Sequence, residues 1–175
     1  MSQKLDRIWA PWRLEYIQDN HSTTKSGLPK DCVFCKIAPE NPSMTNLVLF
    51  GDDDIFVIMN KFPYNPYHLM VLPKIHTGEI TDLPTNVWQK LNLATHACVD
   101  LIKQTVSPHG FNLGMNIGEA GGAGIAPHLH MHVIPRWRGD TNFMPLIAET
   151  KALPTHNETV YNALMPKFEH FADRL

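Results

Sequence analysis

Two short runs, NLVLF over residues 46–50 and DIFVIMN over residues 54–60, are rich in β-branched and aromatic side chains and are separated by Gly51-Asp52-Asp53. Apolar runs of this length, joined by a turn cluster, predict a β-hairpin. A third strand is expected in YHLMVLPK (67–74), reached through the Pro-rich turn KFPYNPY. The period then changes. Between Thr85 and Gln104 the apolar positions are Val87, Leu91, Ala94, Cys98 and Leu101, alternating steps of four and three. That spacing draws one stripe along a helix, with Thr85 as its N-cap and Gly110 beyond its end. FNLGMNIG (111–118) and HLHMHVIP (128–135) supply two more strands, joined by the Gly-rich GEAGGAGIAP. A last helix is expected with Val160, Leu164, Phe168 and Phe171 on one side. Strands grouped around a helix, without regular strand–helix alternation, predict an α+β fold: a single domain with a mostly antiparallel five-stranded sheet and a packed helix.

Composition agrees and narrows the partners. With 175 residues, 43% hydrophobic and 18% charged, the chain has enough material for a core of its own. Fifteen basic against 17 acidic residues give a formal charge of −2, with no basic run. Duplex DNA, RNA and anionic membranes are poor partners for such a surface; a small nucleotide is not excluded. No apolar run approaches the roughly 20 residues of a membrane span, and MSQKLDRIWAPWRLEYI lacks the apolar segment of a signal peptide. Three cysteines, an odd number, fit a reducing, cytoplasmic setting.

The chemistry concentrates in His128-Leu129-His130-Met131-His132-Val133. Along a strand, successive side chains alternate, so the three imidazoles share one face and Leu129, Met131 and Val133 the other. The apolar face packs on a helix; the histidine face is expected to look into a cleft or at solvent. Two readings follow. Residues two apart lie roughly 6.6 Å apart along a strand, so the histidines could join a further ligand around a metal. Alternatively one imidazole is a nucleophile, apt for phosphoryl groups because it is neutral and nucleophilic at pH 7. The glycines of residues 118–124 are not a dinucleotide-fold fingerprint, since they lead into a strand. They do let backbone N–H groups approach an anion.

Cys32 and Cys35, in CVFC, have the spacing with which two thiolates bind one zinc. Redox chemistry and an uninvolved pair are the alternatives; the polar KSGLPKD upstream lacks the strand a thioredoxin-like site wants. Cys98, on the apolar helix face, is expected in the core. His21, His68, His96, His109, His156 and His170 form no constellation and are expected as ordinary surface or packing residues.

The run His128–Ile134, with its upstream Gly loop and following Pro135-Arg136, resembles the His-φ-His-φ-His-φ-φ signature of the histidine triad (HIT) family of nucleotide hydrolases and transferases. The resemblance covers Cys32 to about Arg136. It implies an α+β sheet, a homodimer, and a central His130 that attacks the α-phosphorus of a nucleotide to form a nucleotidyl-histidine. It further implies that His132 hydrogen-bonds the phosphate or departing group, and that backbone near His128 holds the other nitrogen of His130. Asn60 matches the family's ribose-gripping Asp/Asn, and Asn116 a residue that reaches ribose or phosphate. Family members with this CxxC complete a structural zinc with the His of a PKxH segment and the first triad His, here His76 and His128. One departure stands out: many members carry Gln-Ser or Gln-Thr where this chain has Gly124 and Ile125, so only backbone donors remain for phosphate there. HVIPRWRGDTNFMP and WAPWRLEYI resemble a longer bacterial branch described as diadenosine-tetraphosphate phosphorylase-like.

On this basis residues 1–30 are expected as an N-terminal extension partly docked by Trp9 and Trp12, 31–136 as the HIT catalytic domain, and 137–175 as a C-terminal extension ending in a helix. The expected activity is cleavage of dinucleoside polyphosphates at the α-phosphate by hydrolysis or phosphorolysis, with Mg accompanying the substrate. A nucleoside phosphoramidase, a binding module with little turnover, and a metalloenzyme with an open HLHMH site are the alternatives.

Overall fold

In a computed structural model, which describes residues 32–143 and 152–175, the first hairpin closes where the sequence predicts it. The side-chain oxygen of Asp52 accepts the N–H groups of Asp54 and Ile55 at 2.9 and 3.0 Å. That turn joins strands β1 (Val48–Gly51) and β2 (Ile55–Met59). The expected extension over residues 1–30, with Trp9 and Trp12, and His21 within it, lie outside the described residues.

Strand β3 (Leu69–Pro73) runs beside β2. The 22-residue helix α2 (Thr85–Val106) then crosses to β4 (Gly110–Met115), and β5 (Met131–Arg136) inserts between β3 and β4. The five strands form one sheet of order β1-β2-β3-β5-β4, every neighbour antiparallel. The expected α+β sheet with a packed helix is therefore the observed one.

Each apolar position of the predicted helix stripe is buried, Cys98 included. Thr85 is the first helical residue rather than the cap. Pro84 holds the capping position in an extended conformation, and its carbonyl accepts the N–H of Trp88. The rigid φ of proline suits it to launch a helix. Lys90 reaches both Asp52 and Asp54 at 2.9 Å, pinning the helix to the first turn. Helix α3 (Asn157–Phe168) folds back on β1 and α2, and a final turn follows at Phe171–Arg174. Val160, Leu164, Phe168 and Phe171 all join the common core, so this end of the chain shares the domain's interior. A short helix α1 (Val33–Ile37), not expected from the sequence, forms at the CVFC segment and buries Phe34. No helix among the described residues is long and apolar enough to cross a membrane.

One close approach sets up the site. The N–H of Leu129 bonds to the Thr77 carbonyl at 2.8 Å, and at Gly78 a Cβ would collide with the carbonyl oxygen of Ala126. Only glycine lets the two backbones touch there. Gly78→Ala is expected to lower unfolding free energy by about 1–3 kcal/mol in urea titration, whereas Gly124→Ala, where nothing lies within 4 Å, stays within about 0.5 kcal/mol.

Candidate active site and metal centre

Strand β5 begins only at Met131, so His132 lies in the sheet while His128 and His130 sit on its irregular approach. Of the two expected settings for the histidine face, a cleft or solvent, open solvent is ruled out: His128, His130 and His132 are 0, 5 and 8% exposed. Phe34 of α1 packs on two of them, its ring 5.5 Å from those of both His128 and His130, while His68 and Tyr64 pack on His132. The imidazole of His130 nevertheless keeps one free corner. Its Nδ1 lies 2.8 Å from the His128 carbonyl oxygen. A carbonyl only accepts, so Nδ1 carries the proton and Nε2 the lone pair. Among the described residues Nε2 has no hydrogen-bond partner, and no buried side-chain nitrogen or oxygen lacks one. Nε2 therefore reaches solvent.

His132 is set the opposite way by His68, expected from the sequence as an ordinary surface or packing residue. His68 is 1% exposed and stands on the same sheet face, two residues before Met70, which pairs with His132. The backbone N–H of Tyr64 donates to His68 Nδ1 at 3.2 Å. Neutral His68 must then carry its proton on Nε2, which lies 2.9 Å from His132 Nδ1. His132 in turn keeps its own proton on Nε2. Neutrality follows from the surroundings. Burial, reinforced by His132 and His130, pushes His68 down to about 3, and burial with His130 pushes His132 down to about 4. One ring offers a lone pair and its neighbour, 4.9 Å away between centroids, offers a proton.

Below the triad, Cys32, Cys35, His76 and His128 converge, their ligand atoms all within 4.8 Å of one another. Cys32 and Cys35 flank the first turn of α1, His76 follows β3, and His128 precedes β5. The Sγ atoms of both cysteines lie 3.5 Å from His128 Nδ1, and Cys35 Sγ lies 3.2 Å from His76 Nδ1. A tetrahedron with bonds of about 2.0–2.3 Å has edges of roughly 3.3–3.8 Å, so two thiolates and two imidazoles fit one ion. The tautomer also fits: His128 Nε2–H donates to the Pro73 carbonyl at 2.8 Å, turning Nδ1 toward the thiols. Burial and the neighbouring Cys32 push the Cys35 thiol up to about 11. A bound dication would offset both effects. All four positions being protein atoms, such a centre has no vacancy for substrate.

The remaining expected contacts are placed less directly. Asn60 uses Oδ1 to accept the N–H of Phe62 at 2.9 Å, and its amide nitrogen lies 3.4 Å from His68 Nδ1. Asn116 donates to the Gly122 carbonyl at 3.4 Å. The Gly-rich loop is wound into turns, with the N–H groups of Gly121, Gly122 and Ala123 spent on the carbonyls of Gly118 and Glu119. Gly124 is exposed; Ile125 packs against the core and its carbonyl accepts the N–H of His128 at 3.3 Å. Two further residues escaped the sequence reading. Buried Asn65 donates to the Pro135 carbonyl at 2.9 Å and to Asp140 at 2.7 Å, while Asp140 also holds Arg136 at 2.7 Å.

Comparison with known proteins agrees with this geometry. The HIT domain family model matches residues 41–139. The AP-4-A phosphorylase of Mycobacterium tuberculosis is 36% identical over 157 residues, covering 86% of this chain and 78% of its own length. An adenylylsulfatase of Arabidopsis thaliana is 34% identical over 116 residues, 66% of this chain and 57% of that protein. Among solved structures, a Zn-bound histidine triad family protein from Mycobacterium smegmatis superposes with a TM-score of 0.64 at 21% identity, over 85% of this chain and 100% of that one. At that identity the likeness shows the fold. With the family model spanning more than half of its length, the chain belongs to the HIT domain family of nucleotide hydrolases and transferases.

Proposed function

We propose that this enzyme cleaves dinucleoside polyphosphates of the diadenosine-tetraphosphate kind at the α-phosphorus, through a covalent nucleotidyl-histidine on His130. The observation that supports this most is the bond from His130 Nδ1–H to the His128 carbonyl, which leaves the Nε2 lone pair without a hydrogen-bond partner among the described residues. Nε2 attacks phosphorus. A P–N bond forms as the bond from phosphorus to the bridging oxygen breaks, and the departing polyphosphate keeps the electron pair. The ring gains positive charge, which the His128 carbonyl stabilises through Nδ1–H. His132 Nε2–H donates to the departing oxygen. An acceptor then attacks the same phosphorus, and the P–N electron pair returns to Nε2. Water yields the nucleoside monophosphate, inorganic phosphate the diphosphate. The name of the M. tuberculosis relative supports phosphate as acceptor. Asn60 is assigned to the ribose, and Asn116 with the backbone of Gly124 and Ile125 to the phosphates. The homodimer is assigned to the outer edge of β4, where Leu113 is 52% exposed.

For the four-residue centre we infer zinc. The S2N2 donor set favours it, and the M. smegmatis structure of the same fold is Zn-bound. Its part is structural: it fastens α1, the end of β3 and the approach to β5 at one point.

Two outcomes are expected. His130→Ala loses diadenosine-tetraphosphate turnover by about a thousandfold or more, read by chromatography with and without phosphate; a fully active variant contradicts the mechanism. Elemental analysis finds one zinc per chain, and strong chelation lowers Tm by roughly 10 °C. Metal-free protein of unchanged Tm contradicts the structural assignment.

A further inference from the structure

The loop between β2 and β3 presents two aromatic rings to solvent, one of them, Tyr64, beside His132. Phe62 is 78% and Tyr64 54% exposed. Such exposure on a mobile loop would carry no meaning, but this loop is pinned along its length. The Phe62 N–H is held by Asn60 and the Tyr64 N–H by His68. Buried Asn65, next in the chain, is fastened to Pro135 and Asp140. The rings are thus displayed by a rigid backbone, which lowers the entropy lost when something packs on them.

Their position says what that is. The Tyr64 ring lies 4.9 Å from that of His68 and 5.9 Å from that of His132. His132 is the triad member whose proton faces the departing group, so Tyr64 stands on the leaving side of the reaction. Earlier in the same loop, the Lys61 ammonium sits 5.8 Å from the centre of the Phe62 ring. A loop that carries a cation and two exposed aromatic side chains matches a ligand with both a polyphosphate chain and a flat base.

We propose that Lys61, Phe62 and Tyr64 form a subsite for the departing nucleotide, in which its base stacks on the aromatic rings and its phosphate chain lies along Lys61. The subsite rests on the reaction proposed above, and it makes the second nucleoside of a dinucleoside polyphosphate the feature that the loop selects. A substrate with the same phosphate chain and no second base would miss this contact. Stacking of a base on an aromatic side chain is worth about tenfold or more in affinity.

The test is a calorimetric titration in the His130→Ala background, so that nothing is turned over, with diadenosine tetraphosphate and with adenosine 5′-tetraphosphate. Added Tyr64→Ala or Phe62→Ala should each weaken the dinucleotide by about tenfold and the mononucleotide by less than about twofold, while Tyr64→Phe restores binding. Phe62 is so exposed that its truncation cannot unfold the chain. Equal weakening of both ligands overturns the subsite and makes Tyr64 a support for His68 and His132. No weakening of either overturns it as well, as does a change of oligomeric state as the sole effect. Wild-type protein that shows the dinucleotide preference in binding yet turns over neither compound defeats the proposed reaction and leaves the subsite standing.

Discussion

The carbonyl oxygen of His128 accepts a single hydrogen bond on which the chemistry of this fold depends. A neutral imidazole has one proton for two nitrogens, and which nitrogen keeps it decides whether the outward corner is a nucleophile or a donor. At His130 the carbonyl claims the proton for Nδ1. The residue that supplies this oxygen also sends its own side chain into the cluster with Cys32, Cys35 and His76. A movement of the His128 ring toward or away from the thiols therefore moves the acceptor that holds the proposed nucleophile, His130. The proposed metal centre and the proposed catalytic corner thus share one residue.

His132 completes the pair by the reverse arrangement. The N–H of Tyr64 closes Nδ1 of His68 to protonation, His68 donates to His132, and His132 is left with its proton outward. Backbone groups at the two ends, a carbonyl for His130 and an amide for His132, thus set opposite tautomers on rings two residues apart. Burial keeps both states clean. Pushed to about 4 and about 3, His132 and His68 stay neutral at physiological pH and cannot scramble the order by taking a second proton. The packing of Phe34 and Tyr64 around the rings, which contradicts an open histidine face, is what makes that neutrality possible.

Much of this was legible in the residues. The helix stripe, the hairpin turn and the five strands follow from apolar period and turn chemistry, and all carry local signals. The family signature pointed to His130 and to the four convergent ligands. What escaped was long-range. His68 looks unremarkable until β3 is laid antiparallel to β5 with Met70 opposite His132, at which point strand parity puts both imidazoles on one face. Asn65 and Asp140 are 75 residues apart in sequence, and no periodicity links them. The α1 turn was missed because five residues around a CxxC are too few to show a helical period. The composition of the Gly-rich loop shows only that its backbone N–H groups can approach an anion. The structure spends three of its amides on internal turns, a choice that composition does not encode.

The central claim concerns protons, so the direct measurement is one that sees them. Long-range nitrogen–proton NMR correlation of the histidine rings near pH 7, assigned with His130→Ala and His132→Ala, should show His130 protonated at Nδ1 with a bare Nε2, and His132 protonated at Nε2 with a bare Nδ1. A His130 that carries its proton on Nε2, or that averages between the two forms, contradicts the account.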